Sequence, residues 1–308
     1  MNGVIFGSGI IGLIAKRILS GNWTVVPFGK SRFYSFNPAL ADNFIVRDAD
    51  IDQCVRDVVG SQVPVFFYKR CFSAAGQLTK EFDAAICTAW LSKIFGNNIP
   101  SQSLPYLEKR MTSSIYGVRT NVLYNALMAD YKAMLVADAA KGPVTEIGKN
   151  YFIRGGVRTE FDAAISTIPL PALCDLIGAQ HNLATKPEYY VVVKSDAIDL
   201  EGCNQAFVVD GNLSFYRVTN ISKGVYTFYF ITDEPNPGAY LLPIIGAADV
   251  VDGTSIADAI PIGNIPDLTW LSEYGIYPIG SYAQHDWCAD VGSNILKLVR
   301  YAQRGFKP

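Results

Sequence analysis

The chain has 308 residues, half of them hydrophobic (50%), and a net charge of −2, which gives material for one large core or two interleaved domains. Its basic residues stand singly or in pairs such as Lys69-Arg70 and Lys109-Arg110, so no run tracks a nucleic-acid backbone, and the two histidines, His181 and His285, lack metal-ligand spacing. The six cysteines form no C-x-x-C pair, no leader precedes the first strand, and no apolar stretch reaches the ~18 residues a bilayer demands, so a reduced, cytoplasmic protein outside the membrane is expected.

The chain opens on an apolar run, Val4-Ile5-Phe6, followed at once by Gly7-Ser8-Gly9-Ile10-Ile11-Gly12 and by a segment with Ile11, Ile14 and Ile18 on one helical face. That is strand, tight turn, helix. In a βα turn of the form G-x-G-x-x-G, the first glycine permits the turn and the second lets backbone approach a pyrophosphate. The third lets helix and strand pack closely, and the helix N-terminus offers free N–H groups to the anion. A purely structural turn is the plainer alternative, but the setting between strand and helix favours a dinucleotide.

Asn22-Trp23-Thr24-Val25-Val26-Pro27-Phe28 reads as the second strand. An acidic residue is expected at its end to take the ribose hydroxyls, and the chain has Lys30, Ser31 and Arg32 instead, two cations that suit the 2′-phosphate of NADP. Gly29-Lys30-Ser31 imitates the end of a P-loop, but Thr24 stands where that motif requires glycine.

Val63 to Tyr68 reads as a further extended run, after which residues 76–141 take up helical spacing in two segments closed by Gly96 and Gly142. From Val144 a small hairpin and a buried strand follow, then a β-rich block containing "EYYVVVKSDA", "QAFVVDG", "LSFYRVTN" and "VYTFYFITD", and a last helix that starts near Asp290. The expected organisation is a discontinuous nucleotide-binding domain (1–75, 142–180 and 275–308), a helical insertion (76–141) and a β-sheet substrate domain (181–274).

Two segments carry a family resemblance. "FDAAISTIPLPAL", Phe161 to Leu173, resembles the return to the nucleotide domain in FAD-dependent amine oxidases, protoporphyrinogen oxidases and UDP-galactopyranose mutases. There an acidic residue, here Asp162, precedes an apolar strand ending in a small-residue turn, here Ser166-Thr167-Ile168-Pro169. "GSYAQHDWCADVGSNILKLV" resembles that group's last flavin-contacting element, with Gly280 in the turn and a helix beginning around Asp290-Val291-Gly292-Ser293. Free N–H groups at that N-terminus suit negative charge on the flavin N1/O2 edge. Ser281 stands where the group commonly has an arginine, so the glycine turn must do more.

The resemblance implies an α/β fold: a Rossmann-like FAD-binding domain with an inserted helical segment and an antiparallel substrate sheet. Its FAD contacts would be Gly7, Ser8, Gly9, Ile10, Ile11, Gly12, Lys30, Ser31, Arg32, Thr167, Gly280, Ser281, Asp290, Val291 and Gly292. "LSFYRVTNISK" resembles the mutase-like substrate sheet, in which an arginine, here Arg217, faces the active site; strand alternation points it away from Tyr216 and Val218. A surface arginine paired with an acid is the ordinary alternative. His285 is a candidate acid or base near the ring, though such a residue more often bonds backbone.

The implied function is an FAD-dependent oxidoreductase or isomerase acting at a C–N or C–O centre of a small amine or nucleotide-linked substrate, with flavin as redox or nucleophilic centre. Compact members also resemble enzymes of phage DNA hypermodification, which rearrange or oxidise an amino-acid-modified thymine; that would imply weak contact with a modified DNA base. Read on the residues alone, an NADP-binding reductase or a non-catalytic nucleotide-binding protein stays open.

Overall fold

A computed structural model of the chain describes residues 1–19, 21–28, 43–46, 65–67, 69–74, 76–112, 116–232, 249–289 and 291–304. The first part of the chain forms β1 (Gly3–Phe6), α1 (Ile10–Leu19), β2 (Trp23–Val26), β3 (Asn43–Val46), β4 (Val65–Phe67), β5 (Arg70–Ala74), β6 (Gln77–Thr79), α2 (Ala84–Phe95), α3 (Ser103–Thr112), β7 (Tyr116–Arg119) and α4 (Thr120–Ala139). The second part forms β8 (Val144–Gly148), β9 (Tyr151–Arg154), β10 (Val157–Glu160), β11 (Ala163–Ser166), α5 (Leu170–Ile177), β12 (Ala184–Lys194), β13 (Gln205–Val208), β14 (Phe215–Ser222), β15 (Val225–Phe230), β16 (Asp249–Ile262), β17 (Ile276–Pro278), α6 (Ser281–Gln284) and α7 (Val291–Arg304).

Four parallel strands in the order β17-β11-β1-β2 make the nucleotide-type sheet. β1 and β11 are buried along their whole length, which is why their sequences are continuous apolar runs rather than alternating ones. Ile5, Val25 and Ile165 point to one face, where they pack with Leu13 and Ile14 of α1, Leu127 and Leu135 of α4, and Ile295 and Leu298 of α7. Val4, Phe6, Val26 and Ala164 point to the other, against Ile147 and Phe152 of the β8–β10 meander and Leu170 and Leu173 of α5. A buried ion pair, Arg154 with Asp138, joins that meander to the end of α4, and Arg154 Nε also donates to Gly142 O at 2.6 Å.

The second large sheet has seven strands in the order β16-β12-β15-β14-β13-β5-β6. One face holds the core of Val191, Val193, Phe215, Phe228 and Phe230. The other packs Phe72, Phe207, Tyr216 and Tyr229 against Trp90, Leu91 and Ile94 of α2 and Leu107 of α3.

Two boundaries differ from the sequence-based expectation. β5, placed within the nucleotide segment 1–75, is hydrogen-bonded to β13 of the seven-stranded sheet, a pairing between distant segments that periodicity does not encode. The 76–141 helices divide between two cores: α2 and α3 cover the seven-stranded sheet, whereas the buried stripe of α4 lies on the parallel sheet. No helix among the described residues is long and apolar enough to cross a membrane.

Candidate nucleotide-binding rim

The parallel strands end at one rim. Gly7 N–H donates to Val26 O at 2.9 Å, Thr167 N–H to Phe6 O at 2.8 Å and Ile279 N–H to Ser166 O at 2.9 Å, so the ends of all four strands are tied side by side. The Thr167 hydroxyl also donates to Phe6 O at 3.0 Å. The chain departs from β1 toward β2 on one side, while β11 and β17 lie on the other; open α/β sheets take ligands in the crevice at such a switch point.

The three glycines have different local reasons. Gly7 has φ +104°, which favours glycine, and a Cβ there would sit 2.3 Å from Thr167 Oγ1. At Gly12 a Cβ would lie 2.1 Å from Gly7 O, so this glycine lets α1 seat against the turn. A Cβ at exposed Gly9 would meet nothing within 4 Å. The protein's own packing thus requires Gly7 and Gly12 but leaves open the space in front of Gly9, as a backbone cradle for an anion needs. Ser8 is buried beneath this turn, and Ile10 and Ile11 are half-buried at the start of α1.

Gly280 closes the rim from the other end of the chain. It also has φ +104°, and its nearest neighbour on the Cβ side is Ile11 Cγ1 at 3.9 Å. Its N–H donates to Asn294 Oδ1 at 3.0 Å and its carbonyl accepts from Gln284 N–H at 3.0 Å, so the turn's own polar groups shape the protein. Ser281 opens α6, and Val291 and buried Gly292 open α7, which packs along α1. Gly7, Gly12, Thr167, Gly280 and the start of α1 are therefore brought together. Lys30, Ser31, Arg32 and Asp290 lie outside the described residues.

Arg217 sits on the seven-stranded sheet, but not with the orientation that alternation predicts. A bulge between Phe215 and Arg217 breaks the register of β14, so Tyr216 and Arg217 share a face while Phe215 and Val218 enter the opposite core. The guanidinium lies 3.7 Å from the Tyr229 ring centroid, and Arg217 Nη2 is 3.7 Å from Glu188 Oε1. The Tyr216 hydroxyl donates to the same Glu188 oxygen. Burial first, and the Glu188 carboxylate second, hold the phenols of Tyr190 and Tyr216 well above the usual tyrosine range, so both stay protonated. Tyr282, next to Ser281, adds to the push on Tyr190. Sequence reading missed Glu188 and Tyr190; the signal was an acid on the same strand face as an aromatic residue two positions on, in "EYYVVVK".

His285 is 1% exposed, caps α6 with φ 49°, and donates from Nε2 to Ile262 O at 3.2 Å. Burial pushes its pKa below the ordinary 6.5. In this place it ties α6 to the end of β16. Among the described residues no group of His, Cys, Asp and Glu could hold a metal ion.

No protein-family model matches the sequence, and no curated protein matches it. Solved structures do match in fold. A reduced UDP-galactopyranose mutase superposes with a TM-score of 0.66 at 11% identity, over 98% of this chain and 93% of the other. The CLA-producing fatty acid isomerase from P. acnes gives 0.59 at 10% identity over 99% of both chains, and cyclohexylamine oxidase from Brevibacterium oxydans IH-35A gives 0.58 at 10% over 98% of both. The fold is thus the one these mutase, isomerase and amine oxidase structures share, in agreement with the resemblance carried by Phe161–Leu173 and Gly280–Val299.

Proposed function

We propose that the chain is an FAD-dependent oxidoreductase or isomerase acting on a small amine or nucleotide-linked substrate. The observation that carries this reading is the rim itself: two glycines demanded by packing, a third facing open space, and Gly280 closing on Ile11. When bound, FAD supplies hydride acceptance or a nucleophilic nitrogen. The chain's residues supply the rest. The Gly7–Gly12 turn and the N-terminus of α1 would hold the pyrophosphate, with Thr167 beside Gly7, and the N–H groups of Val291 and Gly292 would offer positive dipole to the flavin.

On the substrate side, Arg217 holds an anionic or electron-rich group. Its guanidinium is kept in one plane by the Tyr229 ring and kept near Glu188, which Tyr216 anchors. His285 has a structural part only, buried and bonded to backbone.

The test is an absorbance spectrum of the purified protein, with any released cofactor identified by mass. Flavin bands and an FAD mass support the reading, and turnover only after dithionite reduction would select redox-neutral isomerisation over oxidation. A colourless protein that ignores added FAD but is protected from heat by NADPH would overturn it in favour of the cations at Lys30 and Arg32.

A further inference from the structure

A buried polar network lies directly behind the Gly280 turn. Asn294 is 2% exposed and stands on the α7 stripe that also buries Ile295 and Leu298, where an apolar side chain would be expected. The direction of this network starts from one donor-only group. The Lys297 ammonium donates to Gln284 Oε1 at 3.0 Å, which turns the Gln284 amide nitrogen toward Asn294 Oδ1 at 2.9 Å and Gly280 O at 3.3 Å. Asn294 Oδ1 therefore faces two donors, the second being Gly280 N–H at 3.0 Å. Its Nδ2 is left to donate to Ala289 O at 3.2 Å, just before α7.

A single amide thus joins the turn to the first turn of the helix, and a lysine charge fixes which way round it stands. Burial pushes the Lys297 ammonium below its ordinary range while Asp286 pushes back, so the charge is held at some cost.

We infer that Asn294 is a positioning residue that sets the spacing and angle between the Gly280 turn and the N-terminus of α7, with Lys297 as the group that orients it. The inference rests on the reading of these two elements as the flavin contact. Its test compares the whole protein with N294A, N294D and K297M, measuring FAD dissociation by flavin fluorescence, the midpoint potential of the bound flavin, and melting of the apoprotein.

N294A leaves Gly280 N–H, the Gln284 amide and Ala289 O without this partner, and FAD binding should weaken about tenfold or more. N294D keeps the acceptor, loses the donor to Ala289 O and adds negative charge at the helix N-terminus, so the potential should move negative. K297M frees the Gln284 amide to turn over and should weaken FAD binding while also lowering the potential. If N294A fails to fold, N294D and K297M decide. Wild-type FAD affinity and potential in both of those variants would overturn the inference, even if the apoprotein melts lower. A wild-type chain that takes up no FAD overturns the proposed function itself, a different and earlier failure.

Discussion

Gly9 and Gly12 belong to one motif, yet their replacement should fail in different ways. In Gly12→Ala the new Cβ falls 2.1 Å from Gly7 O and 3.0 Å from Gly7 C. An ordinary C···O approach is about 3.3–3.6 Å, so α1 must retreat by more than about 1 Å, and the obstacle is backbone that has no rotamer to change. Overpacking costs about 1–3 kcal/mol, and a backbone clash belongs at the upper end. At roughly 2–4 °C per kcal/mol for a domain of this size class, the apoprotein should melt about 6–12 °C lower. In Gly9→Val the side chain enters open space and the backbone φ is not in the left-handed region, so apoprotein stability should stay within about 0.5 kcal/mol of wild type. The isopropyl group would nonetheless fill the cradle and abolish FAD retention. Melting curves of the apoproteins, followed by FAD titration, separate the two. Flavin retained at wild-type affinity by Gly9→Val, or wild-type melting in Gly12→Ala, would refute the assignment of these roles.

Removing one partner of the Asp138–Arg154 pair leaves the other charge buried, so Asp138→Ala should lose about 3–5 kcal/mol in denaturant unfolding, and the pair Asp138→Leu with Arg154→Met should recover much of it. His285 is held neutral below its ordinary pKa of 6.5, so the unfolded chain takes up its proton first. The stability it contributes is complete above pH 6.5 and is lost as pH falls through that value toward the folded pKa. His285→Asn keeps a donor for Ile262 O and tolerates φ 49°, so its melting temperature should fall less steeply below pH 6.5; parallel profiles would count against the argument. Glu188→Leu strands the Tyr216 hydroxyl and removes the charge beside Arg217, and should cost about 2–4 kcal/mol, with Glu188→Gln milder because the amide oxygen still accepts from Tyr216; equal unfolding midpoints for the two variants would show that the hydroxyl is satisfied elsewhere.

Much of the nucleotide-type domain was legible because its signals are local. Gly7, Gly9 and Gly12 follow a strand and open a helix, and Gly96 closes α2 where a C-cap was expected. What escaped was set by pairing at a distance. β5 joins β13 across the chain, and no period in "RCFSA" announces its partner. Arg217 points away from Val218 as alternation expects but shares the face of Tyr216, because the register shift between Phe215 and Arg217 breaks the alternation on which facing is judged. Asn294 was not singled out in the sequence, although its spacing of four from Leu298 puts it on the buried stripe of α7.

The rim also dictates an order of assembly. β1 gains β2 as a neighbour almost as soon as it is made, but β11 comes after the helices and β17 after the entire second sheet, while Gly280 reaches Ile11 from near the far end of the chain. During synthesis the glycine turn is therefore made long before Gly280, and the backbone edge of β1 that β11 will pair waits without that partner. A ligand held at this rim, as FAD is in the proposed function, would meet its complete site only in chains where Gly280 has reached Ile11, and its binding would favour those chains.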